Sequence, residues 1–138
     1  MKIFIIVVYY FPSTVSCAKL IQDLAQELRY RNNDVTVITT DENIVADFQV
    51  NNECGIRIAR VRTGKIKTAS RPVRLWNESR LSRTIWSKGL DFFRHNACDL
   101  IIYYSPTIFF GPLVKRLKKL YKCPSYLVLR DIFPQWAL

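Results

Sequence analysis

Residues 1–11 read MKIFIIVVYYF: after Met1 and Lys2 comes an unbroken apolar run, Ile3-Phe4-Ile5-Ile6-Val7-Val8-Tyr9-Tyr10-Phe11. β-Branched and aromatic side chains dominate it with no polar alternation, the pattern of a strand buried on both faces. A single lysine before the run and Ser16-Cys17 after it also give the outline of a short leader with a lipoprotein-type cleavage site. Nine apolar residues fall far short of the ~20 that span a bilayer, and an amphipathic helix follows rather than a linker. Ile3–Tyr9 is therefore read as the first strand of the fold.

The pattern repeats outward from there. Phe11-Pro12-Ser13-Thr14 is a loop. Ser16 stands as N-cap of a helix to about Arg31, with Leu20, Ile21, Leu24, Ala25 and Leu28 as its apolar stripe. Asn32-Asn33 suits the left-handed turn that ends a helix. Val35–Thr39 is a second strand, Asp41–Glu53 an acid-rich irregular loop, and Ile56–Val61 a third strand near the sheet edge. A basic loop over 62–72 leads to one helix over Val73–Phe93, carrying Leu75, Trp76, Leu81, Ile85, Trp86 and Leu90. Leu100–Tyr104 is strand four. Ser105-Pro106 starts a helix that Gly111-Pro112 interrupts and restarts, with Leu113, Val114, Leu117, Leu120 and Tyr121 then on one face. Ser125–Arg130 is strand five. Strands alternating with helices predict an α/β fold: a doubly wound, Rossmann-like parallel sheet, order 3-2-1-4-5, helices on both faces, one domain over 1–138. Chemistry in such sheets gathers beyond the strand C-termini, here Tyr10–Ser16, Thr40-Asp41, Ser105–Thr107 and Arg130–Trp136.

Composition bounds the function. In 138 residues, 49% hydrophobic content supplies a core, and 21 basic against 11 acidic residues leave a net charge of +10. That excess points to an anionic partner: nucleic acid, acidic lipid headgroups or a phosphorylated substrate. Two windows hold most of it, residues 54–90 and Lys115–Lys122. Arg71, Arg74, Arg80, Arg83, Lys115, Arg116, Lys118 and Lys119 are the candidate membrane- or anion-binding residues, with Trp76 and Trp86 interleaved. No helix-turn-helix, RRM or zinc-finger pattern is present, so no specific nucleic acid is expected. One histidine and four dispersed cysteines (Cys17, Cys54, Cys98, Cys123) predict no metal site and free, largely buried thiols.

Motifs exclude more than they assign. The chain has neither GxGxxG nor GxxxxGK[ST], so dinucleotide and P-loop readings fail. The loop Phe11–Cys17 keeps hydroxyls and backbone N–H groups at a helix start, suited either to a phosphate or sugar hydroxyl or simply to capping. Arg130-Asp131 leaves strand five as a charged pair that serves either as a general base with its cation or as an ion pair fixing the loop. His95, flanked by Arg94 and Asn96 near a helix end, reads as a surface or capping residue.

Lys2–Phe11 with Pro12-Ser13, Ala18-Lys19-Leu20, Asp23-Leu24-Ala25 with Leu28, and Asp34–Thr39 resemble the opening of family 4 GT-B glycosyltransferases. The usual Arg-Gly-His-Glu-Val of that family is replaced here by Arg31-Asn32-Asn33-Asp34-Val35. Asn77–Ser82, Tyr103–Gly111 and Tyr126–Ala137 further resemble the fucosamine transferases of bacterial O-antigen and capsule assembly. The resemblance implies the N-terminal, acceptor-side half of a GT-B fold, incomplete as such halves go. It implies a retaining, metal-independent enzyme that moves a sugar, of amino-deoxy type, from a nucleotide sugar to a lipid-linked glycan. A C-terminal domain outside these 138 residues would bind the donor, so this portion alone is expected to be inactive and to need no cofactor. Location would be cytoplasmic, peripheral on the inner membrane, with oligomers open. Many relatives carry a histidine after strand four; Tyr104-Ser105 stands there instead, leaving Asp131 as the candidate catalytic residue. Ser13, Thr14, Ser16, Tyr104, Ser105 and Arg130 are the candidate acceptor-binding residues. The alternative is a non-catalytic basic module on anionic membrane or nucleic acid.

Overall fold

The structure is a computed structural model that describes residues 1–65, 70–104 and 108–130, the side chains of Arg74 and Ile108 excepted. In chain order it runs β1 (Lys2–Ile6), α1 (Ser16–Tyr30), β2 (Asp34–Asp41), β3 (Phe48–Glu53), β4 (Ile56–Arg62), α2 (Arg71–Ser79), α3 (Leu81–His95), β5 (Leu100–Tyr104), a 3-10 turn (Ile108–Phe110), α4 (Gly111–Tyr121) and β6 (Ser125–Val128). The strands form one sheet, β3-β4-β2-β1-β5-β6. All its pairings are parallel except β3 with β4.

β1 sits at the centre because its side chains have two apolar faces to meet. Ile3, Ile5 and Val7 face α1, packing with Val35, Val37, Ile56, Ile58 and Ile21. Phe4 and Ile6 face α3 and α4, packing with Ile38, Val61, Ile85, Phe93, Leu113 and Leu117. Burial on both sides is what an unbroken apolar run requires. Lys2–Ile6 pair in register with Asp34–Ile38 on one side, and Ile3–Ile6 with Leu100–Tyr103 on the other. The expected doubly wound order is present as β4-β2-β1-β5-β6.

Several expectations need correction. Asp41–Glu53 is not wholly irregular: Phe48–Glu53 forms the edge strand β3, hairpinned to β4 through Cys54-Gly55. Both turn residues have positive φ (52° and 78°), which matches the twist of a two-residue hairpin. The third expected strand, β4, is therefore one place in from the edge. The single helix over 73–93 is two, α2 and α3, broken at Arg80. α3 is buried through Leu81, Ile85 and Phe93, while Val73, Leu75 and Trp76 of α2 stay exposed. Gly89 lies mid-α3 because a β-carbon there would come within 2.8 Å of the Phe93 ring and 3.2 Å of the Phe48 ring. Ser16 is the first residue of α1, not its cap; Val15 takes the cap position with no side-chain hydrogen bond. Leu20 is exposed despite its place in the stripe.

Gly111-Pro112 starts α4 directly after the 3-10 turn, the restart expected there; Ser105-Pro106 lies outside the described residues. α4 lacks a cap of its own, and Ser82 of α3 substitutes. Its hydroxyl donates to the Phe109 carbonyl and accepts from the Leu113 N–H at 3.2 Å, satisfying one of the helix's orphan donors. Asn32 takes the expected left-handed conformation (φ 63°). Cys17, Cys98 and Cys123 are buried free thiols, whereas Cys54 is exposed. No helix among the described residues is long and apolar enough to cross a membrane.

Candidate functional site

Two polar features occupy the C-terminal edge of the parallel strands, on either side of the loop that follows β1. The first is a cavity of about 280 Å³ lined by residues including Tyr9, Ser13, Thr40, Asp41, Asn43 and Arg60. That volume is at the small end of the roughly 300–1,000 Å³ usual for ligand sites, so it suits a small polar molecule or one end of a larger one. Hydrogen bonds from the Thr39 and Thr40 hydroxyls to the Val8 carbonyl, at 3.0 and 2.9 Å, shape its floor by holding the end of β1 to β2. Asp41 turns the chain there, accepting from the Asn43 N–H at 2.8 Å.

Arg60 forms the wall. Its side chain is only 8% exposed and runs within 4.0 Å of Asp41 and 3.2 Å of Glu53. Its Nη2 donates to the Phe11 carbonyl at 2.9 Å, so one guanidinium ties the β1–α1 loop to the hairpin of β3 and β4. Tyr10 lies beneath, its phenol pushed up to about 12 by burial and then by the Glu53 charge. A phenol that ionises later in the folded chain than in the unfolded one, near 10, removes stability as pH rises. The unfolded state has then lost the proton that the folded state keeps. Stability is therefore expected to fall by on the order of 2 kcal/mol between about pH 10 and 12. Urea titrations across that range should show a shallower decline in Tyr10→Phe.

The second feature lies at the point where the sheet order reverses, between β1 and β5. Arg130, just past β6, donates from Nη1 to the Ser16 hydroxyl and to the Tyr104 hydroxyl, both at 3.3 Å. Three of the expected acceptor-binding residues, from α1, β5 and the end of β6, therefore meet. Ser13 belongs to the cavity instead, its Oγ within 3.4 Å of the Val15 N–H. Thr14 is exposed on the loop between the two features. Ser105 and Asp131 lie outside the described residues. His95 closes α3 at the opposite, N-terminal edge of the sheet, with Nδ1 2.8 Å from the Asp91 carbonyl. Among the described residues no group of three or more His, Cys, Asp or Glu side chains is placed to hold a metal ion.

The basic windows divide. Arg57, Arg60, Arg62 and Lys88 are structural. Arg57 donates to Asn96 at 2.8 Å and Arg62 to the Val45 carbonyl at 3.0 Å. Lys88 meets Asp47 at 3.0 Å and holds that carboxyl below its ordinary range. Arg71, Arg80 and Arg83 are exposed, as are Lys115, Arg116, Lys118 and Lys119 along α4; Arg74 is described in backbone only. Of the two tryptophans, Trp86 is half-buried under Arg116, whose guanidinium carbon is 5.6 Å from the ring centre. Trp76 is the one presented to solvent, with Arg80 over its ring at 5.5 Å.

In the sequence, Thr40-Asp41 stands out only by the strand-end rule, and Arg60 only as one cation of the basic window 54–90. The alternation Ile56, Ile58, Arg60 on β4 was the available signal, since it puts all three on the α1 face.

No family model matches the chain, and no curated protein matches it in sequence. The fold has solved counterparts. The catalytic domain of starch synthase IV from Arabidopsis thaliana, solved bound to ADP and acarbose, superposes with a TM-score of 0.68 at 12% identity, over 94% of this chain and 34% of that one. The chain thus spans about a third of that structure's length. The C-terminal domain of a hydrogenase from Pyrococcus furiosus superposes with a TM-score of 0.62 at 16% identity, covering 91% of this chain and 89% of its own. The superpositions establish a common Rossmann-like fold and, at identities this low, nothing beyond it; the two counterparts differ in function, so the site must carry any assignment.

Proposed function

We propose that this chain is the acceptor-side portion of a retaining, metal-independent glycosyltransferase of GT-B architecture. In this reading it takes part in moving an amino-deoxy sugar from a nucleotide sugar to a lipid-linked glycan in O-antigen or capsule assembly. The observation that carries the reading is the convergence of Ser16, Tyr104 and Arg130 at the reversal point of the sheet. A guanidinium backed by two hydroxyls is suited to a diphosphate or sugar hydroxyl, and the cavity across the loop offers further hydroxyls and a carboxylate. The starch synthase counterpart, solved with ADP and acarbose, is consistent with that use of the fold.

Binding tests it. A prenyl-diphosphate disaccharide titrated into the chain should bind weakly, and Arg130→Ala should weaken it at least tenfold, the loss expected for one charge-assisted contact of about 1.5–3 kcal/mol. Equal binding by the variant would remove the assignment. The chain alone should give no product with nucleotide sugars, because transfer needs the donor held across a cleft from the acceptor.

In an enzyme that pairs this portion with a donor-binding domain, Asp131 is our candidate to accept the proton of the attacking hydroxyl. Asp131→Asn should then lower turnover by roughly 10²-fold. His95→Gln, at the far edge of the sheet, should change it less than about threefold. An active Asp131→Asn enzyme would leave Ser105 and Ser13 as the next candidates.

A peripheral-membrane role rests on a separate observation, the exposed cations of α4 together with the exposed Val73, Leu75 and Trp76 of α2. At about 1 kcal/mol per basic residue near an anionic surface, replacing Lys115, Arg116, Lys118 and Lys119 by Gln should cut binding to anionic vesicles by well over tenfold. Equal binding to neutral lipid would end this role; preference for nucleic acid would promote the alternative of a basic binding module.

A further inference from the structure

Cys98 and Cys123 occupy matching places below two neighbouring strands. Cys98 comes two residues before β5 begins at Leu100, and Cys123 two residues before β6 begins at Ser125. The strands pair in parallel with Ile101 opposite Ser125, so the two side chains meet at the N-terminal edge of the sheet. Their sulfurs lie 3.9 Å apart, and the residues are 4% and 8% exposed. Tyr121 is their polar neighbour, its hydroxyl donating to the Phe93 carbonyl at 2.7 Å. Burial pushes the Cys98 thiol up, with Cys123 and Asp99 adding to it, so at neutral pH Cys98 rests as the thiol.

We propose that Cys98 and Cys123 form an oxidisable pair, a thiol–disulfide exchange site that takes small diffusible disulfides and closes a bond between the feet of β5 and β6. In the first step one of the two, as thiolate, attacks a sulfur of R–S–S–R. A mixed disulfide forms and one R–SH leaves. The other cysteine then attacks the protein sulfur of that mixed disulfide, forming Cys98–Cys123 and releasing the second R–SH. Two protein thiols are oxidised, the two reagent sulfurs are reduced, and both protons end on the released thiols.

The position gives the bond a consequence. β6 is four residues long and lies at the sheet edge with β5 as its neighbour, so it is the strand with least to hold it. The bond would close a loop through β5, the 3-10 turn and α4, and brace the strand that leads to Arg130. Cys17 on α1 and Cys54 in the β3–β4 turn lie elsewhere in the fold and would form only mixed disulfides.

The test uses the whole chain carrying Cys17→Ser and Cys54→Ser, incubated with oxidised glutathione. The expected product is lighter than the reduced protein by two hydrogens, with the peptides bearing Cys98 and Cys123 cross-linked. Its melting midpoint should be roughly 5–10 °C higher, as expected for closing a loop of this length. Cys98→Ser and Cys123→Ser, each checked for folding, should lose both changes. Stable glutathione adducts on Cys98 or Cys123 without closure would overturn the proposal. So would a pair that stays reduced in the folded chain while the same thiols react in urea, a result that needs no variant to fold.

Discussion

Replacing Arg60 by alanine is expected to lower the unfolding free energy by about 3 kcal/mol, a large share of the roughly 5–15 kcal/mol that holds a domain together. The guanidinium is nearly buried and donates to two acceptors, the Phe11 carbonyl and the Glu53 carboxylate, with the Asp41 carboxylate 4.0 Å away as a further ion-pair partner. Charge-assisted hydrogen bonds of this kind contribute about 1.5–3 kcal/mol each. The sum is discounted because Glu53 and Asp41 are 39% and 27% exposed and recover some hydration when the arginine goes. Arg60→Lys keeps the charge but not the planar fork, so about half the loss should remain. Urea midpoints with an unchanged slope check both. The loss should come with a loosened Phe11–Ser13 loop, read as faster amide exchange at Ser13, whose N–H donates to the Tyr10 carbonyl at 2.9 Å. A loss under about 1 kcal/mol would reduce the buried pair to the worth of a surface one.

Phe93→Ala should cost more, about 3–5 kcal/mol. The ring is fully buried in the layer between the sheet and α3, with Phe4, Trp86 and Phe92 centroids at 6.5, 6.0 and 5.9 Å. Truncation removes both the transfer energy and contacts on several sides, and Gly89 has no side chain to fill the gap. Phe93→Leu should cost less than half as much, since it conserves most of the volume. Trp76→Ala, on an exposed ring, should stay within about 0.5 kcal/mol. Thermal and urea melts of the three variants rank them; a Trp76 effect equal to that of Phe93 would mean α2 is packed more firmly than its exposure indicates.

What was legible in the sequence is what burial on two faces writes into it. The run Ile3–Val7, the strands at 35–39 and 100–104 and the buried part of the α1 stripe are apolar because each has an apolar layer against it. β3 was hidden for the converse reason. Only Phe48 of that strand packs on the hydrophobic core, against Phe92 at 5.4 Å, while Gln49, Val50 and Asn52 are exposed along the edge. The break between α2 and α3 has no glycine or proline to announce it; it falls at Arg80, where the exposed Val73, Leu75 and Trp76 give way to Leu81 and Ile85 in the core.

At the site, periodicity could bring candidates to the correct edge of the sheet but could not choose partners among them. That Ser16 and Tyr104 share Arg130 depends on strand order, which places the starts of α1 and the ends of β5 and β6 side by side although up to 114 positions separate them. Arg60 looked like one more charge in a basic run; only the fold shows it inside, because an arginine leaves water only where acceptors from several segments meet it. By itself the sequence determined the α/β class, the central strand and the doubly wound order, since these follow from local patterns of apolar side chains and from the handedness of crossovers. The tertiary structure alone decided which cations are structural and which are exposed, which hydroxyls converge and which thiols touch. Those are relations between distant segments, and a linear pattern does not carry the distances on which hydrogen bonds and ion pairs depend.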